Sequence, residues 1–301
     1  MQRIGFIGLG IMGSPMAKNL LSAVDLLLVY DLNKEAVAKL VACGAKSATL
    51  SAMAEECGMI FLSLPDGLVV ESVLFGEDGL ARKLRSGTLV CDLSTTELAE
   101  ARSFASRLSA LGIDFIDAPV SGGEAKAISG ELAIMAGGEE RHFLAARPRL
   151  EAMGKTVTLM GGQGSGCAAK LVNQILVHVT MAAVCEAYAL AEKLGVDIET
   201  VYRAVGDGSA SSAMLHNRTP KILKRDFSPG AKISIVHKDI KNVLAAGRDV
   251  DMPLPLTGMV FDLLKAAKAA EFANDDVTRL LSVYERMGNI SSEKITLLEE
   301  P

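Results

Sequence analysis

Over its first half the chain alternates short apolar runs with segments whose apolar residues recur at helical spacing. Five runs, RIGFIG, LLLVYD, MIFLSLP, TLVCDLS and IDFIDAPV, are each separated from the next by such a segment. From Arg3 to about Thr158 this order predicts βαβ units, a parallel sheet with helices on both faces. GELAIMAGG and GKTVTLMG add two further short strands. After the glycine cluster from Gly161 to Gly166 strand alternation stops and helical spacing takes over. The predicted helices are Ser165–Leu194, Asp197–Gly206, Ser212–Leu223, Ile233–Gly247, Pro255–Ala270 and Val277–Met287. The expected organisation is α/β: a doubly wound sheet over residues 1–162, then an all-helical domain over 163–301, with the long first helix as a shared rigid seam.

Composition narrows the partners. Half of the 301 residues are hydrophobic, enough for substantial cores, and the formal net charge of -5 is spread in mixed sign. No basic footprint for nucleic acid and no polybasic membrane patch is present. The five cysteines, Cys43, Cys57, Cys91, Cys167 and Cys185, are widely spaced and form no C-x-x-C pair, so neither a disulfide framework nor a metal site is expected. A reducing cytoplasm fits that usage. MQRIGFIGLG moves straight into a strand pattern and reads as no export signal. Leu171–Leu190 approaches bilayer length, but Asn173, Gln174, His178 and Glu186 interrupt it, so a buried helix is expected and no membrane.

Gly8, Gly10 and Gly13 stand in G-x-G-x-x-G spacing between the first strand and first helix, with Asp31 ending the second strand 18 positions after Gly13. In that context the glycines permit a tight turn, close approach of a pyrophosphate and helix-on-strand packing, while the acid accepts from ribose hydroxyls. The sheet domain is therefore Rossmann-type. A carboxylate at that place favours NAD over NADP, although Lys34 stands where it could pair with a 2′-phosphate. LSLPDG and DLSTT fall at the carboxyl ends of later strands, so Leu64, Pro65 and Thr95 are candidates for lining the cofactor path. They are equally explained as ordinary turns, with Thr95 as a helix cap.

KLVNQ opens the long apolar helix with three polar residues. At about 100° per residue, Lys170, Asn173 and Gln174 share one face. An amine and two amides there can donate a proton and orient a carbonyl substrate; a solvated helix end is the plain alternative. In DAPVSGGEAKAISG, a strand end delivers Ser121, Gly122 and Gly123, a hydroxyl and two unobstructed main-chain amides suited to a carboxylate, or simply a glycine turn. His178 reads as a packed core residue. His237 is notable only for adjoining Lys238. Ser211 and Ser212 are either substrate hydroxyls or helix caps. The 13 methionines read as core filling, and Glu186 needs a neighbour.

These motifs together resemble the β-hydroxyacid dehydrogenases along essentially the whole chain: GFIGLGIMG, DAPVSGG, GSGCAAKLVNQ and HKDIKN, in that family's order and spacing. The resemblance implies a cofactor loop of Gly8, Leu9, Gly10, Ile11, Met12 and Gly13, a catalytic Lys170 with Asn173 as companion, and a substrate loop of Ser121, Gly122 and Gly123. It also implies that Lys238 lies near cofactor and substrate and that the three polar residues face an interdomain cleft. Within the family, GGEAKAISGELAIMAGG, KLVNQ and DFSPGAKISIVHKD look most like the members that reduce tartronate semialdehyde, with the 3-hydroxyisobutyrate dehydrogenases as nearest neighbours. Glyoxylate, succinic and methylmalonate semialdehydes and threonate-type acids stay open, as does, remotely, a non-catalytic cofactor-binding module. LLSAVDLLLVYD departs from the family in lacking a glycine after the first helix. The apolar helical domain points to a homodimer or homotetramer.

Overall fold

The structure is a computed structural model that describes residues 3–290. It divides after Leu171 into two compact units. The first contains strands β1 (Arg3–Ile7), β2 (Leu26–Tyr30), β3 (Lys46–Ser47), β4 (Met59–Leu62), β5 (Leu89–Asp92), β6 (Asp114–Asp117), β7 (Val120–Ser121), β8 (Leu132–Gly137) and β9 (Gly154–Gly161). Between them run helices α1 (Gly13–Leu20), α2 (Lys34–Ala42), α3 (Leu50–Glu56), α4 (Gly67–Phe75), α5 (Leu98–Ser109), α6 (Gly123–Ser129) and α7 (Glu140–Leu150).

Strand order is β3-β2-β1-β4-β5-β6-β8-β7, with β9 beside β8. The first six strands are all parallel to one another and repeat the dinucleotide-binding order. Apart from the two-residue, exposed β3, the middles of these strands are apolar at successive positions because both faces are covered. Ile4, Phe6, Leu27, Val29, Met59 and Phe61 enter one core. The alternate residues Ile7, Leu28, Ile60, Leu62 and Val90 enter the other.

Beyond β6 the sheet departs from the parallel arrangement that the alternation predicts, since β8 runs antiparallel to β6 and β7. Only residues 122–131 separate β7 from β8. That is too little for a parallel crossover of a dozen or more residues. The seven-residue α6 is instead closed by Gly130 in the left-handed region (φ 71°), and the chain returns along its neighbour. Without a glycine to stop it, the first helix tightens into a 3-10 turn at Leu21–Ala23 before Val24 becomes extended.

Helix α8 (Ser165–Leu194) has the predicted bounds and is followed by α9 (Ile198–Val205), α10 (Ala213–Leu223), α11 (Ile233–Asp249), α12 (Pro255–Ala269) and α13 (Leu280–Met287). The 277–287 segment begins as a 3-10 turn, Val277–Arg279, rather than as one helix. Asp197 and Ser212 are N-caps, accepting from the amides of Thr200 and Leu215. By length and composition α8 could cross a membrane, but half of its most apolar stretch is buried inside the chain. Met181, Cys185 and Tyr188 belong to the core of the helical unit, with Ile233, Val236, Ile240 and Leu264. Methionine is not uniformly core filling: Met16, Met53 and Met181 are fully buried, whereas Met252, Met259 and Met287 are exposed.

Candidate active site

The parallel register sets one row of residues at the carboxyl edge of the sheet. Ile7 pairs with Tyr30 and Leu62, Leu62 with Asp92, and Asp92 with Asp117. Every segment singled out for chemistry in this unit leaves the sheet just beyond that row, where open parallel sheets bind ligands.

Gly8 adopts φ 95°, and a Cβ there would lie 2.2 Å from the Ser63 carbonyl oxygen. A Cβ at Gly13 would lie 1.9 Å from the Gly8 oxygen, whereas at Gly10 it would meet nothing within 4 Å. Two glycines thus fold the loop tightly and the third leaves its outer side open. Helix α1 has no side-chain cap, so its first-turn N–H groups are not claimed by one. Asp31 braces this loop: its carboxylate accepts from the Leu9 amide at 2.6 Å and the Asn33 amide at 2.7 Å. Leu9 is buried and Ile11 is 67% exposed, with Met12 between these extremes. An open glycine turn, an uncapped helix start and an acid at the next strand end fit an NAD(P) pyrophosphate and ribose.

At the end of β5, Asp92 is 1% exposed and accepts from the Ser94 amide at 2.9 Å. The Ser94 hydroxyl in turn accepts from the Leu64 amide at 2.9 Å, tying the loop after β4 to the loop after β5. Burial raises the Asp92 carboxyl from 3.8 to about 6 against the lowering effect of its bonds to Ser94, with Asp117 adding like charge. Pro65 is exposed and Thr95 half-buried. Thr95 is not the cap of the next helix: Glu97 holds that position, its amide donating to Glu100 at 2.9 Å.

Beyond β6 the chain reaches the first turn of α8. Asp117, 1% exposed, accepts from the Gly164 amide at 2.8 Å and the Cys167 amide at 2.7 Å. Its carboxyl is raised by burial, opposed by those two amides. The same burial, with Asp117 beside it, lifts the Cys167 thiol well above its ordinary range, which disfavours the thiolate. Three residues after Asp117, the Val120 carbonyl accepts from Lys170 Nζ at 2.8 Å. Lys170 is only 8% exposed, which excludes the solvated helix end. Ser121 is half-buried, while Gly122 (φ 141°) and Gly123 (φ 71°) are exposed and take backbone conformations that side chains disfavour.

In the helical unit a second polar group assembles. Asn173 Nδ2 donates to Gln174 Oε1 at 3.0 Å, and Gln174 Nε2 donates to Asp239 Oδ2 at 2.5 Å. Lys238 pairs with Asp239 at 3.2 Å, and His178 Nε2 lies 3.3 Å from the Gln174 amide. Gln174, His178 and Asp239 are all buried. The packed reading of His178 therefore holds, within a polar cluster rather than an apolar one. His237 stacks on Phe261 with ring centroids 4.7 Å apart. Ser212 is a cap, Ser211 meets His216 Nε2 at 2.9 Å, and Glu186 finds Tyr284, whose hydroxyl it pushes upward after burial.

The structure thus joins Gly8–Gly13 with Asp31, Leu64 with the Thr95 loop, Lys170 with the Ser121 loop, and Asn173 with Lys238 through Gln174 and Asp239. Sequence reasoning missed Asp92, Asp117 and Asp239 as members of these groups. The available signal was an acid closing an apolar strand run, twice in successive strands.

Comparison with known proteins bears on the same residues. Residues 3–162 match the NAD binding domain of 6-phosphogluconate dehydrogenase, and residues 164–284 match the NAD-binding family of NADP-dependent 3-hydroxyisobutyrate dehydrogenase. The 2-hydroxy-3-oxopropionate reductase of Escherichia coli (strain K12) is 39% identical over 288 residues, covering 95% of this chain and 98% of that one. The 2-(hydroxymethyl)glutarate dehydrogenase of Eubacterium barkeri is 35% identical over 291 residues, covering 96% and 97%. A crystal structure of 3-hydroxyisobutyrate dehydrogenase from Salmonella typhimurium has a TM-score of 0.86 at 31% identity, covering 94% of this chain and 100% of that one. With both units matched, the chain belongs to the β-hydroxyacid dehydrogenase family and is an NAD(P)-dependent oxidoreductase.

Proposed function

We propose that the enzyme reversibly reduces tartronate semialdehyde to glycerate, with Lys170 as general acid. The observation that carries this reading is the burial of the Lys170 side chain, 8% exposed, with the Val120 carbonyl as an acceptor 2.8 Å away. Lysine is almost never buried unless paired. When bound, reduced NAD(P) supplies the hydride that the aldehyde carbon receives. Lys170 gives its proton to the oxygen that becomes the alcohol, and in the oxidative direction the neutral amine takes it back. Ser121 and the amides of Gly122 and Gly123 receive the substrate carboxylate. Asn173 orients the carbonyl, and Lys238 adds positive charge toward substrate and cofactor. The loop from Gly8 to Gly13, Asp31, Leu64, Pro65 and Thr95 hold the cofactor, with Asp31 favouring NAD and Lys34 the residue through which NADP could be admitted.

Similarity to the Escherichia coli reductase supports the substrate. Discrimination among small hydroxy acids rests on a few contacts worth about 1–3 kcal/mol each, so the assignment is tested by kinetics. Loss of reduced-nicotinamide absorbance is followed with NADH and NADPH against tartronate, methylmalonate and succinic semialdehydes and glyoxylate. The highest kcat/KM is expected for tartronate semialdehyde with NADH; preference for another semialdehyde moves the substrate and keeps the chemistry. Lys170→Ala should lose on the order of 10²–10⁴ in turnover. Unchanged turnover with an intact fold removes Lys170 from the proton-transfer role.

A cytoplasmic homo-oligomer completes the reading. All five cysteines are free, as in a reducing compartment. Leu176, Leu190 and Leu194 of α8 are 66%, 59% and 69% exposed, an apolar stripe suited to a second copy. Light scattering distinguishes dimer, tetramer and monomer.

A further inference from the structure

We propose that Asp117 is a positioning residue for Lys170: its carboxylate fixes the first turn of α8 and thereby sets where the lysine ammonium stands. The proposal deepens the reading of Lys170 as proton donor and rests on it for its catalytic meaning.

One short segment grips the helix at two levels. Asp117 Oδ1 accepts from the Gly164 amide at 2.8 Å, and Oδ2 from the Cys167 amide at 2.7 Å. Three residues along the same segment, Val120 accepts from Lys170 Nζ at 2.8 Å. Cys167 and Lys170 are three residues apart, less than one helical turn, so a shift of the first turn carries Lys170 with it. Displacing the lower grip moves the upper one.

Two glycines leave the room this contact needs. A Cβ at Gly137, the register partner of Asp117, would stand 2.6 Å from Asp117 Oδ1 and 2.5 Å from the Gly166 amide nitrogen. A Cβ at Gly166 would stand 2.5 Å from the Asp117 carbonyl oxygen and 2.9 Å from Oδ2. Side chains at either place would separate the strand end from the helix. The two glycines let a carboxylate lie directly against main-chain donors.

Those donors and that charge depend on each other. The early N–H groups of a helix have no partner within it, and the positive end of its dipole favours an anion. Asp117 supplies both an acceptor and the charge, in a place where burial raises its carboxyl. An amide in its place turns one acceptor into a donor facing an N–H, and either Gly164 or Cys167 must then withdraw.

Asp117→Asn tests this, with lysine acetylation rates read peptide by peptide by mass spectrometry. In the wild-type enzyme Lys170 should be among the slowest lysines to react. In the variant it should react severalfold faster, and kcat should fall on the order of 10–10²-fold, the scale of a small misplacement of a reacting group. NADH affinity, read by nicotinamide fluorescence, should stay within about twofold, because the change removes positioning and not ground-state binding. Asp92→Asn, a neighbouring buried acid whose carboxylate accepts from the Ser94 amide rather than from the amides of Gly164 and Cys167, should leave the Lys170 rate unchanged.

Should Asp117→Asn fail to fold, Cys167→Pro removes one of the two donors from the helix side, at the third residue of α8, whose N–H has no partner within the helix to lose, and is expected to accelerate Lys170 labelling in the same way. An unchanged Lys170 rate in a folded variant overturns the proposal, whatever happens to turnover. Acetylation reports the lysine's position whether or not it moves protons. A Lys170→Ala enzyme that still turns over would therefore sink the proton-donor reading alone.

Discussion

Asp117 and Asp276 are 1% and 0% exposed, yet the donors that satisfy them differ in kind. Asp117, in the sheet unit, is held by the amides of Gly164 and Cys167. Asp276, in the helical unit, accepts from the amides of Gly230, Ala231 and Thr278 and the Thr278 hydroxyl, and also from the Arg218 guanidinium at 3.1 Å. A buried acid with a cation ties segments of the fold together. One satisfied by neutral donors carries more of its desolvation cost uncompensated, and what it gives in return is geometry. Asp92 belongs to the second kind, with Ser94 as its donor and its carboxyl raised to about 6.

The largest effect expected from this contrast is at Asp276. Asp276→Asn leaves Arg218 without its carboxylate and sets an amide against the donors that Oδ1 or Oδ2 now receives. Removing one partner of a buried pair costs roughly 3–5 kcal/mol. Urea unfolding followed by far-UV circular dichroism should show a loss of that size. The same isosteric change at Asp117 should cost far less stability while moving Lys170. Equal losses at the two sites would erase the distinction between acids that hold the fold and acids that hold a position.

The contrast also marks what the sequence makes legible. β1, β2, β4, β5 and β6, the bounds of α8, the glycine loop and Asp31 follow from local periodicity and turn chemistry. So does the placement of Lys170, Asn173 and Gln174 on one helix face, because the period of the helix determines it. The reversal of β8 does not follow, since an apolar run carries no direction and the short return through α6 decides it. Nor does the contact of Gln174 with Asp239, which spans 65 residues. Asp117 stands between: its identity is visible at the end of IDFID, but its donors lie 47 and 50 residues away. Whether Lys170 is solvated or buried is likewise set by a carbonyl 50 residues distant.

A second effect, of intermediate size, has the opposite sign. The folded-state value of Asp92, about 6, lies above its ordinary 3.8. Folded chains therefore hold an extra proton between those values. The associated stability is complete below about pH 3.8 and is lost as pH rises through 6. Asp92→Asn removes that loss and should be more stable than wild type at pH 8 by roughly 1–3 kcal/mol. Near pH 4 the advantage should vanish. Thermal midpoints at the two pH values read the difference, and kcat/KM should fall even as stability rises, because Ser94 and Leu64 lose their anchor. A variant less stable than wild type at pH 8 would show that the bonds to Ser94 outweigh burial.

The smallest effect sharpens the same argument at the protein surface. Asp197 caps α9 by accepting from the Thr200 amide at 2.7 Å, and that residue's hydroxyl and amide hold its carboxyl below the ordinary value. Its folded-state value is depressed, so its contribution is present above the unfolded value near 3.8 and is lost as pH falls through the folded one. Asp197→Ala removes a cap and should cost about 1 kcal/mol at pH 7. The cost should shrink below pH 4, where wild type begins to lose the same charge. Both acids accept hydrogen bonds from neutral donors, and burial is the largest difference between them, with like charge from Asp117 beside Asp92 and the Arg203 cation beside Asp197 adding to it. Opposite pH trends in the two variants would locate the difference in desolvation; parallel trends would place it in the hydrogen bonds and undo the reading of Asp92 as an acid held against its own burial cost.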